Sequence, residues 1–151
     1  MEINVIFLDI DGVLNPEKSP NPTVFAPDCV AQLARILDAN PATRIVFSTS
    51  WRMGFPLFAL GWCWREHNLP NKRIIGRTPD IRNDRRGEEI EKWLTDAPTH
   101  YAALQIRRFA ILDDEVQPIL EHMPAHSVFA CDPWDGLTPE VADRVIHHFQ
   151  G

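Results

Sequence analysis

The segment from Asn4 to Asn15, NVIFLDIDGVLN, constrains this chain more than any other. Val5 to Leu8 is an unbroken apolar run, too short for a helix and rich in Val, Ile and Phe. Such a run reads as a strand buried on both faces. It ends in Asp9 and Asp11, one residue apart, followed at once by Gly12. Alternate side chains of an extended segment point the same way, so both carboxylates are expected to face one small volume beyond the sheet. Two anions that close repel each other unless a cation or a shared proton compensates. A divalent metal meets that need. An Asp-Gly turn closing the strand is the plainer alternative, and the later stretches weigh against it.

Past this strand, Pro16 to Pro27 holds four prolines and no periodicity, which predicts a loop, a short flap over the strand end and not a folded cap. From Pro27, the apolar residues Val30, Leu33, Ile36 and Leu37 recur at helical spacing, with Pro27 fit for the first turn and Asn40-Pro41 as the stop. Arg44 to Phe47 predicts a second buried strand that runs into Ser48, Thr49, Ser50, Trp51 and Arg52. A helix after Pro56, with Leu57, Leu60 and Trp64, is expected to end near Asn68 to Pro70. Arg73 to Gly76 predicts a third strand and Thr78 to Arg85 a polar loop. Asn83 or Asp84 then caps a helix through Ala97, with Ile90, Trp93 and Leu94 facing inward. Thr99 to Gln105 carries no clear period. Arg108 to Leu112 predicts a fourth strand meeting Asp113-Asp114, and a short helix, Val116 to His122, leads to a fifth strand at Ser127 to Ala130. After a turn at Pro133 to Gly136, Thr138 caps a last helix with Pro139 at its first position and Val141, Val145, Ile146 and Phe149 on its apolar face.

Strands alternating with helices imply a parallel sheet with helices on both faces. Ligands of such sheets bind beyond the carboxyl ends of the strands, where the strand order reverses. Asp9/Asp11, Ser48/Thr49/Ser50 and Asp113/Asp114 each directly follow an apolar run, so three polar clusters converge on that end. At 151 residues, with 44% hydrophobic and 24% charged residues, the chain is expected to be one soluble domain spanning 1–151. No apolar run reaches membrane-spanning length, and no signal peptide is expected ahead of the first strand. Cys29, Cys63 and Cys131 are widely spaced in apolar surroundings and predict buried thiols in a reducing, cytoplasmic setting. A net charge of −6 argues against a broad nucleic-acid footprint but leaves room for a local one made by clustered arginines.

The run Asp9-Ile10-Asp11-Gly12-Val13 behind an apolar strand resembles the first motif of the haloacid dehalogenase-like (HAD) superfamily, Asp-x-Asp-Gly-[Thr/Val]. The resemblance covers nearly the whole chain and implies a three-layer Rossmann-like α/β fold of about five parallel strands. It also implies a mechanism in which an aspartate takes a phosphoryl group and is freed by water. Asp9 matches the nucleophile and Asp11 the general acid and base, its backbone carbonyl also meeting the metal in that family. A Ser or Thr ending the second strand binds a phosphate oxygen: Ser48 and Thr49 both qualify, Thr49 is preferred, and Ser50 then offers its amide. A Lys or Arg near the start of the helix before strand four clamps the phosphoryl group; Arg86 fits best, with Arg82 and Arg85 as rivals. Arg52 is a further phosphate or substrate contact. The acidic pair matches the fourth motif, with Asp114 as metal ligand and Asp113 behind it or bound through water. Oxygen-only ligation of this kind suits Mg²⁺.

No segment between these motifs is long enough for a large cap, so an open, capless site is expected. The Ser-Trp-Arg stretch at Ser50, Gly76-Arg77-Thr78-Pro79 and Gly136-Leu137-Thr138 resemble the HAD domain of Swiss Army Knife RNA repair proteins. That similarity implies a phosphorylated substrate, a nucleotide or a polynucleotide phosphate end, with no membrane and no obligate protein partner. The rival readings are a phosphate- or nucleic-acid-binding module that keeps the fold without turnover, and a response-regulator receiver. Retention of all four motif positions weighs against the first, and the order of acidic pair and phosphoacceptor against the second. Trp62 and Trp64 are expected in the core, His147-His148 at a helix end, and CDPWDGLT (131–138) either lines the site or makes a tight turn.

Overall fold

The five apolar runs become five parallel strands of one sheet. The structure, a computed structural model, describes residues 1–19, 25–48, 64–81, 85–100 and 103–151. The strands are β1 (Glu2–Leu8), β2 (Thr43–Phe47), β3 (Ile74–Arg77), β4 (Gln105–Asp113) and β5 (Val128–Ala130). Their order across the sheet is β3-β2-β1-β4-β5. β1 is therefore central, and the chain reverses direction across the sheet beside it, which is where an open α/β sheet forms its binding crevice.

The helices are α1 (Pro27–Ala39), α2 (Arg86–His100), the single turn α3 (Gln117–Leu120) and α4 (Pro139–Gln150). Period-two alternation along β1 sorts the core into two layers. Ile6 and Leu8 join Leu33, Ile36 and Leu37 of α1 and Val141, Val145 and Phe149 of α4 on one face. Val5 and Phe7 join Ile90, Trp93 and Ala97 of α2 and Ile119 of α3 on the other. Phe7 meets Trp93 edge to face with ring centres 5.5 Å apart. Thr138 caps α4 by accepting the Val141 amide at 3.4 Å, as its position before Pro139 predicts.

Several boundaries differ from expectation. β4 starts three residues before Arg108, because its amino half pairs with Glu2 and Ile3, and a backbone ladder does not need apolar side chains. α2 runs past Pro98 to His100, although a proline removes one amide and crowds the carbonyl four residues before it; so near the end of the helix only its last turn is affected. β3 begins at Ile74 and not at Arg73, which sits in a 3₁₀ turn (Asn71–Arg73). α3 is shorter than Val116 to His122. Of the helix predicted after Pro56, residues 64–66 are helical and the chain turns at 67–68, as expected; its earlier part, Trp62 and the caps proposed at Asn83 or Asp84 lie outside the described residues. Trp64 is buried against Phe47, ring centres 5.8 Å apart, as core packing requires. Cys29 and Cys131 are free and buried. Burial pushes both thiols up, that of Cys131 to about 12. No helix among the described residues is long and apolar enough to cross a membrane.

Candidate active site

One row of backbone hydrogen bonds closes the sheet at its carboxyl end. The Thr78 amide donates to Phe47 O at 2.9 Å, Ser48 to Leu8 O at 2.9 Å, Asp9 to Leu112 O at 3.1 Å, and Cys131 to Asp113 O at 2.9 Å. Thr78, Ser48, Asp9 and Asp113 thus stand side by side on neighbouring strands, and all four are buried. Asp9 continues the alternation of Val5 and Phe7, and Asp113 that of Ile111, so both carboxylates emerge on the α2 side of the sheet.

The first residue of α2 meets them there. Arg86 Nη1 lies 2.7 Å from Asp113 Oδ2 and 3.3 Å from Asp9 Oδ2. Asp113 Oδ1 accepts the Glu115 amide at 3.0 Å, so both of its oxygens are bonded to protein donors. Asp9 Oδ1 accepts the amide of Ile10 at 2.9 Å. Asp9, Asp113 and Asp114 each bring one carboxylate oxygen within 4.8 Å of the others.

The charges in this cluster do not balance. Burial and then the Asp113 carboxylate push the Asp9 carboxyl up to about 9, against the opposing pull of Arg86. Burial likewise raises Asp113, to about 6, although Arg86 and the Glu115 amide favour its ionised form. Burial alone would lower the Arg86 guanidinium; Asp113 and Asp9 outweigh it and hold the charge firmly in place. One guanidinium facing three carboxyl groups leaves room for a further cation. The donors are all oxygens, the set that a hard divalent ion such as Mg²⁺ takes, so the residues present fit that ion.

Asp11 does not join the cluster. Extended geometry ends at Asp9, because the Ile10 carbonyl accepts the amides of Val13 (3.1 Å), Leu14 (2.9 Å) and Asn15 (3.0 Å) and winds the chain into a turn. Asp11 is exposed on that turn. Gly12 follows with φ +77°, and a Cβ there would lie 2.4 Å from Asp114 Oδ2. The glycine thus lets the turn press against the acidic pair, a close approach that any side chain would block.

Of the other expected site residues, Ser48 stands beside Asp9, its hydroxyl buried and without a partner among the described residues. Thr49, Ser50, Arg52 and Arg82 lie outside the described residues. Arg85 turns outward to Glu88, 3.4 Å away. Two contributors carry no role in the sequence reading. Thr78 extends the buried row with a second unpartnered hydroxyl, and its place directly after β3 was the available signal. Glu89 is buried and accepts the Ile81 amide at 2.8 Å, tying the loop before α2 to the helix that presents Arg86. A glutamate on the inner face of a helix is not legible as a loop tether from spacing alone.

A family model described as the HAD domain in Swiss Army Knife RNA repair proteins matches residues 5–142. The match includes every member of the acidic cluster and Arg86. No curated protein and no solved structure matches the chain.

Proposed function

Since this chain belongs to the family of HAD domains in Swiss Army Knife RNA repair proteins, we propose that it is a phosphomonoesterase working through a phosphorylated Asp9. The observation that carries the reading is the buried Asp9 held 3.3 Å from Arg86 among Asp113 and Asp114, at the central strand end. A carboxylate is a usable nucleophile toward phosphorus once the charge on the phosphoryl oxygens is offset and the groups are held in line.

In this mechanism an Asp9 oxygen attacks phosphorus, the bond to the leaving oxygen breaks, and Asp11 gives that oxygen its proton. Asp11 then takes a proton from water, which attacks the same phosphorus and releases inorganic phosphate and the free Asp9 carboxylate. The exposure of Asp11 leaves it open both to the leaving oxygen and to the attacking water, and the proton it takes from that water restores it for the next turnover. Arg86, fixed by Asp113, stabilises charge on the transferring phosphoryl oxygens. Ser48 or Thr49 bonds a phosphoryl oxygen, with Ser50 and Arg52 as further contacts. Asp9 and Asp114 with the Asp11 carbonyl would hold Mg²⁺, Asp113 supporting them; the ion supplies Lewis-acid neutralisation of the phosphate. The substrate in this reading is a nucleotide or a polynucleotide phosphate end, the class that the family's description suggests.

Hydrolysis of a simple phosphomonoester should need Mg²⁺ and stop in chelator; equal turnover in chelator refutes the metal reading. Asp11→Asn should slow turnover by about two to four orders of magnitude, the usual worth of general acid–base catalysis. With a good leaving group the phosphorylated Asp9 should accumulate and show as a mass increase of the intact variant. A variant that turns over at the parental rate removes Asp11 from the mechanism.

A further inference from the structure

We propose that Trp134 is the base-stacking residue of this site, its indole receiving the nucleobase that carries or adjoins the scissile phosphate. The inference rests on the phosphomonoesterase reading and narrows it to base-bearing substrates. Trp134 is 58% exposed, the most exposed aromatic side chain among the described residues. A single exposed apolar residue is ordinary on a protein surface. The backbone under this one is not ordinary.

The loop after β5 is pinned on both sides. The Gly136 amide donates to Asp132 O at 2.7 Å, and the Trp134 amide donates to Asp132 Oδ1 at 2.8 Å. The segment that follows the Asp9 turn is bonded along its other side, Glu17 N to Pro133 O at 2.8 Å and Lys18 N to Trp134 O at 3.3 Å. Lys18 Nζ adds an ion pair to Asp135 at 3.3 Å. Leu137 N donates to Val13 O at 2.8 Å, and a Cβ on Gly136 (φ +71°) would come within 2.7 Å of that same oxygen. The loop carrying the indole is therefore sealed to the catalytic turn, and little conformational freedom is left to lose when a ring stacks on it.

Its place also suits a nucleotide. β5 lies two strands from β1, roughly 10 Å at the usual strand spacing. A phosphate held at Asp9 can thus leave its base over the rim where Trp134 stands. The charges around the loop, Glu17, Asp132 and Asp135 against Lys18, do not attract a long polyanion. Stacking on an aromatic face needs no such attraction and accepts any base. The fit is to a terminal nucleotide, not to a tract of nucleic acid along a basic groove.

The test compares parent, Trp134→Ala and Trp134→Phe on a nucleoside monophosphate and on glycerol phosphate, which has no ring. Trp134→Ala should lower the nucleotide-to-glycerol-phosphate ratio of kcat/KM by about 5- to 150-fold, the usual worth of one base–aromatic stack. Trp134→Phe should keep most of that preference. An unchanged ratio in Trp134→Ala overturns the proposal. Tryptophan emission, titrated with a short 5′-phosphorylated single-stranded oligonucleotide, reads stacking without turnover. Quenching in the parent that is lost in Trp134→Phe supports stacking even if no phosphomonoester is hydrolysed, in which case only the activity reading fails. Equal quenching in both overturns the proposal.

Discussion

The two ends of the sheet use arginine in opposite ways. At the amino end, Arg73 donates to the carbonyls of Thr43 (2.7 Å), Leu37 (2.9 Å) and Asn40 (2.8 Å). Arg107 donates to Phe149 O at 2.8 Å and Gly151 O at 2.9 Å, and Arg108 to His148 O at 2.9 Å. Apart from Thr43 O, which opens β2, these are the carbonyls at the ends of α1 and α4, where a cation also meets the negative end of the helix dipole. At the carboxyl end, Arg86 begins a helix and faces carboxylates. The first arrangement consists of cations on neutral acceptors and is complete as it stands. The second crowds three carboxyl groups around one guanidinium, and a bound proton or a cation must complete it. An arginine's chemical role follows from what its guanidinium meets, not from its burial.

The largest test of this contrast is a pair of truncations. Arg86→Ala should cut turnover by about 10²- to 10³-fold, the scale for removing one fixed donor from a developing anion. It should also destabilise the fold by about 3 kcal/mol through the loss of the Asp113 partner. Arg85→Ala, on an outward-facing side chain, should change neither. If Arg85→Ala is the more damaging, the clamp is misassigned. Arg73→Ala should lower the thermal midpoint, with a cost of about 1–3 kcal/mol for the orphaned carbonyls, and leave kcat within a factor of two or so. A large loss of kcat there would erase the distinction between the two ends.

Gly12→Ala sharpens the comparison at the turn. The positive φ and the 2.4 Å approach to Asp114 should together cost about 1–3 kcal/mol and push the turn away from the acidic pair. Weaker Mg²⁺ binding by calorimetry is the expected readout; unaltered Mg²⁺ affinity would detach Gly12 from the site.

A further test varies pH. The Asp9 carboxyl at about 9 and Asp113 at about 6 stand above the roughly 3.9 of an unfolded aspartate. Across that interval the folded chain keeps protons that the unfolded chain has released. In chelator, stability should therefore fall as pH rises from about 4 to about 9. Mg²⁺, by compensating the ionised carboxylates, should flatten the decline. Thermal midpoints measured with and without the ion check this; parallel curves count against a cation at the cluster.

Local pattern alone located all five strands, because each contains a short apolar run; β1 and β2 are buried almost throughout, whereas the edge strands β3 and β5 are only partly covered. It also placed Asp9, Ser48 and the acidic pair at strand ends, since parallel strands share one carboxyl end. Strand alternation stops at Asp9. Asp11 sits exposed on a turn and not in an extended strand because three amides converge on the Ile10 carbonyl, a turn the pattern of carboxylates does not announce. The choice of Arg86 over Arg82 and Arg85 rested on family likeness; Arg86 meets Asp9 and Asp113, Arg85 turns outward, and Arg82 lies outside the described residues.

By itself, then, the sequence determined the layers, the parallel sheet and the end of it that carries polar chemistry, all of which follow from periodicity along one stretch of chain. Only the tertiary structure decided which side chains meet. Arg86 and Asp113 are 27 positions apart, Lys18 and Asp135 are 117 apart, and Gly12 presses on Asp114 from a different strand end. Hydrophobic burial dictates the strands locally, whereas the unbalanced charge of the site exists only once packing has carried distant carboxylates out of water and into one volume.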